Sequence, residues 1–250
     1  MEISVVIPAY NEEQSIRLTV DRCVRSLRAL FERFEIIIVD DKSTDATPQI
    51  ADELSSQYPE VRVIHNECNL RQGASLVRGF KEARMNLVTH NAMDYPFDLS
   101  NLKQIFPLLE RTDVVVGARK SRPDSSIYRR FLTAANLFLL RNCFDLKLKD
   151  YNFIQIYRRE VLDALEFRET STGFLIPSLL FQVHRLGYRI DEVLLDYQPR
   201  ERGEAKSACP RVLVETLWDM FKFWLKYKYN VNRGSIPKPE SARIASLQRK

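Results

Sequence analysis

The stretch EIIIVDDKSTDAT, Glu35 to Thr47, constrains this chain more than any other. Four successive branched aliphatics, Ile36 to Val39, make a stable strand only where both faces are covered, which is the environment of a parallel sheet between helices. Asp40 and Asp41 follow at its carboxyl end. A Ser/Thr/Asp cluster comes next, then Thr47 as a helix N-cap with Pro48 at the first helical position. Carboxylates at that end of a parallel strand lie where open α/β sheets take ligands. Asp40, directly after an apolar strand, reads as a ligand-binding residue. Asp41, Ser43 and Asp45 serve equally well as turn and cap residues.

The same grammar repeats along the chain. Ile3 to Ile7 is a strand ending in Pro8-Ala9-Tyr10-Asn11, and Asn11 with Gln14 makes a capping box. Behind it Ile16, Val20, Val24 and Leu27 form a stripe of helical period. Further strands are Val61 to Ile64, Leu87 to Thr89 and Asp113 to Val116, separated by a helix ending near Ser56 and another carrying Leu76, Phe80 and Ala83. Strands alternating with helices predict an α/β fold: a central, mostly parallel sheet with right-handed crossovers, flanked by helices.

After Arg119 the pattern changes. Tyr128 to Phe144 reads as a helix with a basic start, Phe153 to Tyr157 as a short strand, Phe174 to Leu186 as a helix and Arg189 to Tyr197 as a strand. A charged loop leads to an amphipathic aromatic helix, Val212 to Tyr229. Residues 232–250 are polar and interrupted by proline, the composition of a disordered tail.

At 250 residues the chain suits one large domain. Its net charge of +5 is concentrated after Arg119, which points to an anionic partner. The basic residues cluster at motif positions rather than along one aromatic-interleaved face, so nucleic acid is not that partner. The four cysteines have no CxxC spacing and support neither a zinc site nor a disulfide framework. The chain opens directly into a strand, and no apolar run approaches the ~20 residues of a spanning helix. A cytoplasmic protein is expected. The histidines His65 and His184 have no partner in spacing and read as incidental.

VVIPAYNEE, EIIIVDDKSTDAT, NLRQGAS, VVVGAR and PRERGEAKS resemble, in order and spacing, the inverting GT-A-fold glycosyltransferases of family 2. Within that family the likeness is to the polyprenyl-phosphate sugar transferases typified by dolichol-phosphate mannose synthase. The resemblance implies a single Rossmann-like GT-A domain over 1–231, with a nucleotide-sugar-binding half (1–118) and an acceptor-binding half (119–231). It assigns Pro8, Ala9, Tyr10, Glu12, Asp40, Asp41, Arg71 and Gly73 to the donor, with Asp40 and Glu12 facing base and ribose. The residue types suit the task, since a base and ribose need a flat apolar wall and a few acceptors.

Two phosphates need counter-charge, which the family supplies with Mg²⁺ or Mn²⁺ on an Asp-x-Asp pair. Here Ala92, Met93 and Asp94 fall at that motif, so only Asp94 remains to hold the ion, with water and substrate phosphates completing it. The implied acceptor is a polyprenyl phosphate, already ionised, which needs arginines rather than a strong base. Arg119, Arg129, Arg130, Arg202 and Lys206 match those positions, and Asp94, Arg119 and Arg202 form the implied catalytic set. Asp150 sits where the family carries an Asp before a turn, with Asn152 replacing small residues there. The last helix interleaves aromatics with lysines, which suits a membrane surface, a membrane-embedded partner, packing on the sheet or a second copy of the chain. Two other readings remain open: transfer to a sugar hydroxyl in surface-polysaccharide assembly, and a non-catalytic nucleotide-sugar-binding protein.

Overall fold

A computed structural model describes residues 1–120, 127–144, 146–167, 171–197 and 210–231. Seven strands form one sheet, β1 (Glu2–Ala9), β2 (Arg33–Asp40), β3 (Val61–His65), β4 (Leu87–His90), β5 (Val114–Arg119), β6 (Ile154–Arg158) and β7 (Ile190–Leu195), in the order β3-β2-β1-β4-β6-β5-β7. β6 runs antiparallel between β4 and β5, and every other pairing is parallel. The sheet is therefore mostly parallel, as the alternating pattern predicts. The carboxyl ends of six strands and the amino end of β6 all meet at one rim.

Side-chain alternation along β2 shows why its sequence is apolar throughout. Ile36 and Ile38 belong to one core layer, with β1 residues Ile3, Val5 and Ile7 and with Ile16, Val20 and Leu27 of α1 (Ile16–Arg28). Ile37 and Val39 belong to the opposite layer, with Leu76 and Phe80 of α3 (Arg71–Glu82). α2 (Thr47–Gln57) completes the first face. Beyond β4 come a 3₁₀ turn (Leu99–Gln104) and the short α4 (Phe106–Leu109), neither visible as a helical period because each is too short to repeat it. The second face adds α5 (Ile127–Phe144), the short α6 (Arg159–Asp163), α7 (Leu175–Arg185) and α8 (Pro210–Val231). Phe144, Phe174, Phe181 and Phe223 pack edge-on and tilted with centroids 5.0–5.8 Å apart, which locks α5, α7 and α8 together.

Two capping assignments need correction. α1 begins at Ile16 after Ser15, so Asn11 is not its N-cap and Gln14 closes no capping box. Thr47 is the first residue of α2 and Ala46 precedes it as the N-cap. Both side chains are used instead to join the two loops of the rim. Arg202, Lys206 and the tail 232–250 lie outside the described residues.

Candidate functional site

The rim begins with two loops laced together. Asn11 N–H donates to Ser43 Oγ (3.0 Å) while Asn11 Oδ1 accepts from Thr44 N–H (2.8 Å). Glu12 N–H donates to Thr47 Oγ1 (2.8 Å), and Ala46 N–H donates to Glu13 Oε2 (3.0 Å). Backbone donors that a helix start would leave without partners are thus satisfied across the loops. Tyr10 stands exposed above them, Pro8 and Glu12 are half-buried and Ala9 is buried.

Four non-glycine residues have positive φ: Asn11 (55°), Lys42 (62°), Arg71 (70°) and Tyr95 (48°). Each lies where the chain leaves one of β1 to β4 at this rim. A left-handed residue costs of order 1 kcal/mol and persists where surrounding contacts over-determine it. All four lie in the segments that follow β1 to β4.

Asp40 and Asp41 are both 2% exposed. Asp40 Oδ1 accepts from Ser43 N–H (3.1 Å), and Oδ2 lies 3.1 Å from His65 Nδ1. The other ring nitrogen of His65 lies 3.1 Å from Asp52 Oδ1. His65 is therefore not incidental: it bridges the β2 carboxylate to α2. Ala9, Asp40 and His65 are paired in register across β1, β2 and β3. That register is the signal sequence reasoning missed, because each residue closes its own apolar strand. Burial lowers the His65 pKa, but the hydrogen bonds it makes to the Asp40 and Asp52 carboxylates outweigh it and the net shift is upward.

Asp41 faces the other way. Its Oδ1 accepts from Asn66 Nδ2 (2.8 Å) and from Leu70 N–H (2.8 Å), and Asn66 Nδ2 also reaches Ser75 Oγ (2.8 Å). Asp41 thereby shapes the loop that delivers Arg71 and the buried Gly73 at the start of α3. Arg71 Nη1 reaches across to Glu215 Oε2 of α8 (2.5 Å), which brings the amino-terminal half of α8 to the rim.

Asp94 lies in the turn after β4. Asn91 N–H donates to Val6 O (3.0 Å), Asn91 Nδ2 to Phe97 O (3.0 Å) and Thr19 Oγ1 to Met93 O (2.6 Å), which fix the turn to the core. Between buried Met93 and Tyr95, Asp94 is half-buried. Asp98, the other acid of this turn, caps the 3₁₀ helix through Ser100 N–H. No group of three or more His, Cys, Asp or Glu side chains able to hold a metal exists among the described residues. A lone carboxylate such as Asp94 fits only a hard cation that takes most of its oxygens from phosphate and water.

Across β4 and β6, Arg119 closes β5. Its Nε and Nη2 meet Asp150 Oδ2 and Oδ1 at 2.6 and 3.0 Å, and its guanidinium lies over Phe153 (5.2 Å) and Tyr197 (5.9 Å). Arg129 and Arg130 fall in the first turn of α5. Asp40, Asp94 and Arg119 thus close neighbouring parts of one edge. With strands ~4.8 Å apart, four strand steps from β2 to β5 span roughly 19 Å.

Residues 4–165 match the family model described as Glycosyl transferase family 2. An undecaprenyl-phosphate 4-deoxy-4-formamido-L-arabinose transferase from Pseudomonas savastanoi pv. phaseolicola is 32% identical over 222 residues, 87% of this chain and 64% of that protein. A dodecaprenyl-phosphate galacturonate synthase from Rhizobium johnstonii is 30% identical over 91% of this chain and 68% of that protein. The chain therefore spans about two thirds of the length of these relatives. Among solved structures, glucosyl-3-phosphoglycerate synthase from Mycobacterium tuberculosis, in complex with Mn²⁺, uridine diphosphate and glucosyl-3-phosphoglycerate, superposes with a TM-score of 0.63 at 25% identity, covering 88% of this chain and 79% of that one. TarS of S. aureus in complex with UDP shares the fold at a TM-score of 0.57 and 21% identity, over 79% of this chain and 59% of that one.

Proposed function

This chain belongs to glycosyl transferase family 2, and from that premise we propose that it transfers a sugar from a GDP- or UDP-sugar to a polyprenyl phosphate, with inversion at C1. The observation that carries the reading is the layout of one rim, with Asp40 and Asp94 closing the first half of the sheet and an Asp150-braced Arg119 closing the second. Two relatives whose names specify polyprenyl-phosphate products align over both halves. The reaction is placed at the cytoplasmic face of a membrane, where nucleotide sugars are available.

In this mechanism the loops after β1 and β2 hold the nucleoside, and Asp94 would hold a divalent ion at the diphosphate end. When bound, Mg²⁺ or Mn²⁺ would supply counter-charge to the diphosphate leaving group. Arg119, with Arg129, Arg130, Arg202 and Lys206, presents the acceptor. An oxygen of the ionised acceptor phosphate attacks C1 from the face opposite the leaving group. The new C1–O bond forms as the old one breaks, and the nucleoside diphosphate leaves with the electron pair. No proton is removed from the nucleophile, so no general base is needed. Asp150, the carboxylate nearest Arg119, is engaged with that guanidinium, which disfavours transfer to a sugar hydroxyl.

The test is incubation of the purified chain with GDP-mannose, UDP-glucose or UDP-GlcNAc, Mg²⁺ or Mn²⁺, and a short-chain polyprenyl phosphate. The expected product is a lipid-linked sugar. Nucleotide binding without transfer under either metal would overturn the proposal in favour of a binding protein, the reading that the single carboxylate at Asp94 favours.

A further inference from the structure

α8 carries two apolar faces. Thr216, Met220 and Phe223 are buried, the last two within the second core layer. On the opposite side Val214, Leu217, Trp218 and Phe221 follow helical spacing and are 66, 49, 59 and 48% exposed. Phe221 lies between Trp218 (6.1 Å) and Trp224 (6.4 Å), so the outward face ends in an aromatic ladder. A charged strip separates the two faces, and its members are paired: Glu215 with Arg71, Lys222 with Asp219 and Lys226 with Glu166. A helix of a water-soluble fold keeps one apolar stripe, the buried one. Val214, Leu217, Trp218 and Phe221 belong to neither core layer among the described residues.

We infer that the outward face of α8 docks onto a lipid bilayer surface and presents the sheet rim to it. The choice of occupant rests on three observations. The exposed stripe from Val214 to Phe221 is roughly 10 Å long and 10 Å wide, an area far below the ~800 Å² per partner that a stable protein dimer buries. A bilayer imposes no such minimum, because side chains insert individually. Tryptophan with a wet indole N–H and an apolar body suits the membrane–water boundary. The Arg71–Glu215 contact ties the same helix to the rim that holds the candidate site. This docking rests on the lipid-linked acceptor proposed above: a phosphate carried by a membrane lipid reaches that rim only if the rim faces the membrane.

The chain contains two tryptophans, both on α8, so intrinsic fluorescence reports this helix: Trp218 from the outward face and Trp224 from its margin, where it packs partly against the second core layer. The protein is titrated with phosphatidylcholine/phosphatidylglycerol vesicles that contain no polyprenyl phosphate. The emission is expected to move to shorter wavelength, with quenching by bromine-labelled acyl chains. The variant Leu217→Glu/Phe221→Glu, whose side chains are exposed, is expected to keep the far-ultraviolet circular dichroism of the parent and to lose the vesicle response. It should also retain transfer to a water-soluble short-chain acceptor while losing transfer to a vesicle-embedded one. Unchanged wild-type emission with vesicles overturns the inference. An equal response in the variant does the same. So does a wavelength shift that grows with protein concentration without lipid, which would assign the face to a second copy. The vesicle readout needs no sugar transfer, so the docking surface and the proposed reaction fail separately.

Discussion

Arg119 and Asp150 are joined at two points, Nε to Oδ2 at 2.6 Å and Nη2 to Oδ1 at 3.0 Å, fastening the end of β5 to the turn before β6. Asp150 also accepts from Asn152 N–H (3.1 Å), so one carboxylate orients both the guanidinium and the turn. The Asp150 side chain is 5% exposed and that of Arg119 19%, a largely desolvated pair. Removing one partner of such a pair leaves the other charge uncompensated. Asp150→Ala is expected to cost about 2–4 kcal/mol in stability, and to depress transfer while leaving nucleotide affinity unchanged. Thermal melts and calorimetric nucleotide titrations check the two halves of this statement. Parallel losses of nucleotide affinity and transfer would remove Arg119 from the acceptor side.

His65 makes stability depend on pH. Both ring nitrogens lie 3.1 Å from carboxylates, an arrangement that suits the imidazolium, in which both are donors. Its folded-state pKa is raised. The contribution is therefore complete below the ordinary histidine value of about 6.5 and is lost as pH rises through the higher folded value. Melting temperature measured from pH 6 to 8 should fall more steeply for the parent than for His65→Phe. Identical slopes would show that the bridge does not carry its charge in the folded protein.

Gly117 and Gly79 are places where only hydrogen fits. A Cβ on Gly117 of β5 would sit 2.5 Å from Ile154 Cγ2 of β6 and 2.7 Å from Leu195 Cδ1 of β7. On Gly79 of α3 it would collide with Val6 of β1, which sets how closely that helix lies on the sheet. Each Gly→Ala change is expected to cost about 1–3 kcal/mol through overpacking, a drop of several degrees in melting temperature for a domain of this size. Gly117→Ala should also weaken transfer, because β5 delivers Arg119.

The proposed metal response turns on Asp94. Asp94→Asn is expected to lower kcat by about a hundredfold, the scale of removing one group that stabilises transition-state charge, with nucleoside binding little altered. Ala92→Asp adds a second carboxylate to the same turn and should tighten Mn²⁺, measured by titration of the ion against protein with bound nucleotide. Unaltered Mn²⁺ affinity in Ala92→Asp would place the diphosphate away from this turn.

The apolar strands were legible because burial on both faces leaves no polar position to blur the run, as in Ile36 to Val39. The same clarity marked the rim, since Asp40 and Arg119 each close such a run. Asn11 and Thr47 were misread for a physical reason: a side chain that caps its own helix and one that ties a neighbouring loop have the same local sequence. His65 escaped notice because its partners, Asp40 and Asp52, lie 25 and 13 residues away and meet it only across strand pairing and helix packing.

From its sequence alone this chain determined its strand and helix types, its mostly parallel sheet and the edge at which Asp40 and Arg119 close their strands, because these follow from the period and length of apolar runs. The tertiary structure alone decided that β6 enters between β4 and β5, that His65 bridges two carboxylates and that α8 keeps a second apolar face in water. Those features depend on which distant segments pack together, and no local pattern encodes a contact between residues that only the folded chain brings within reach.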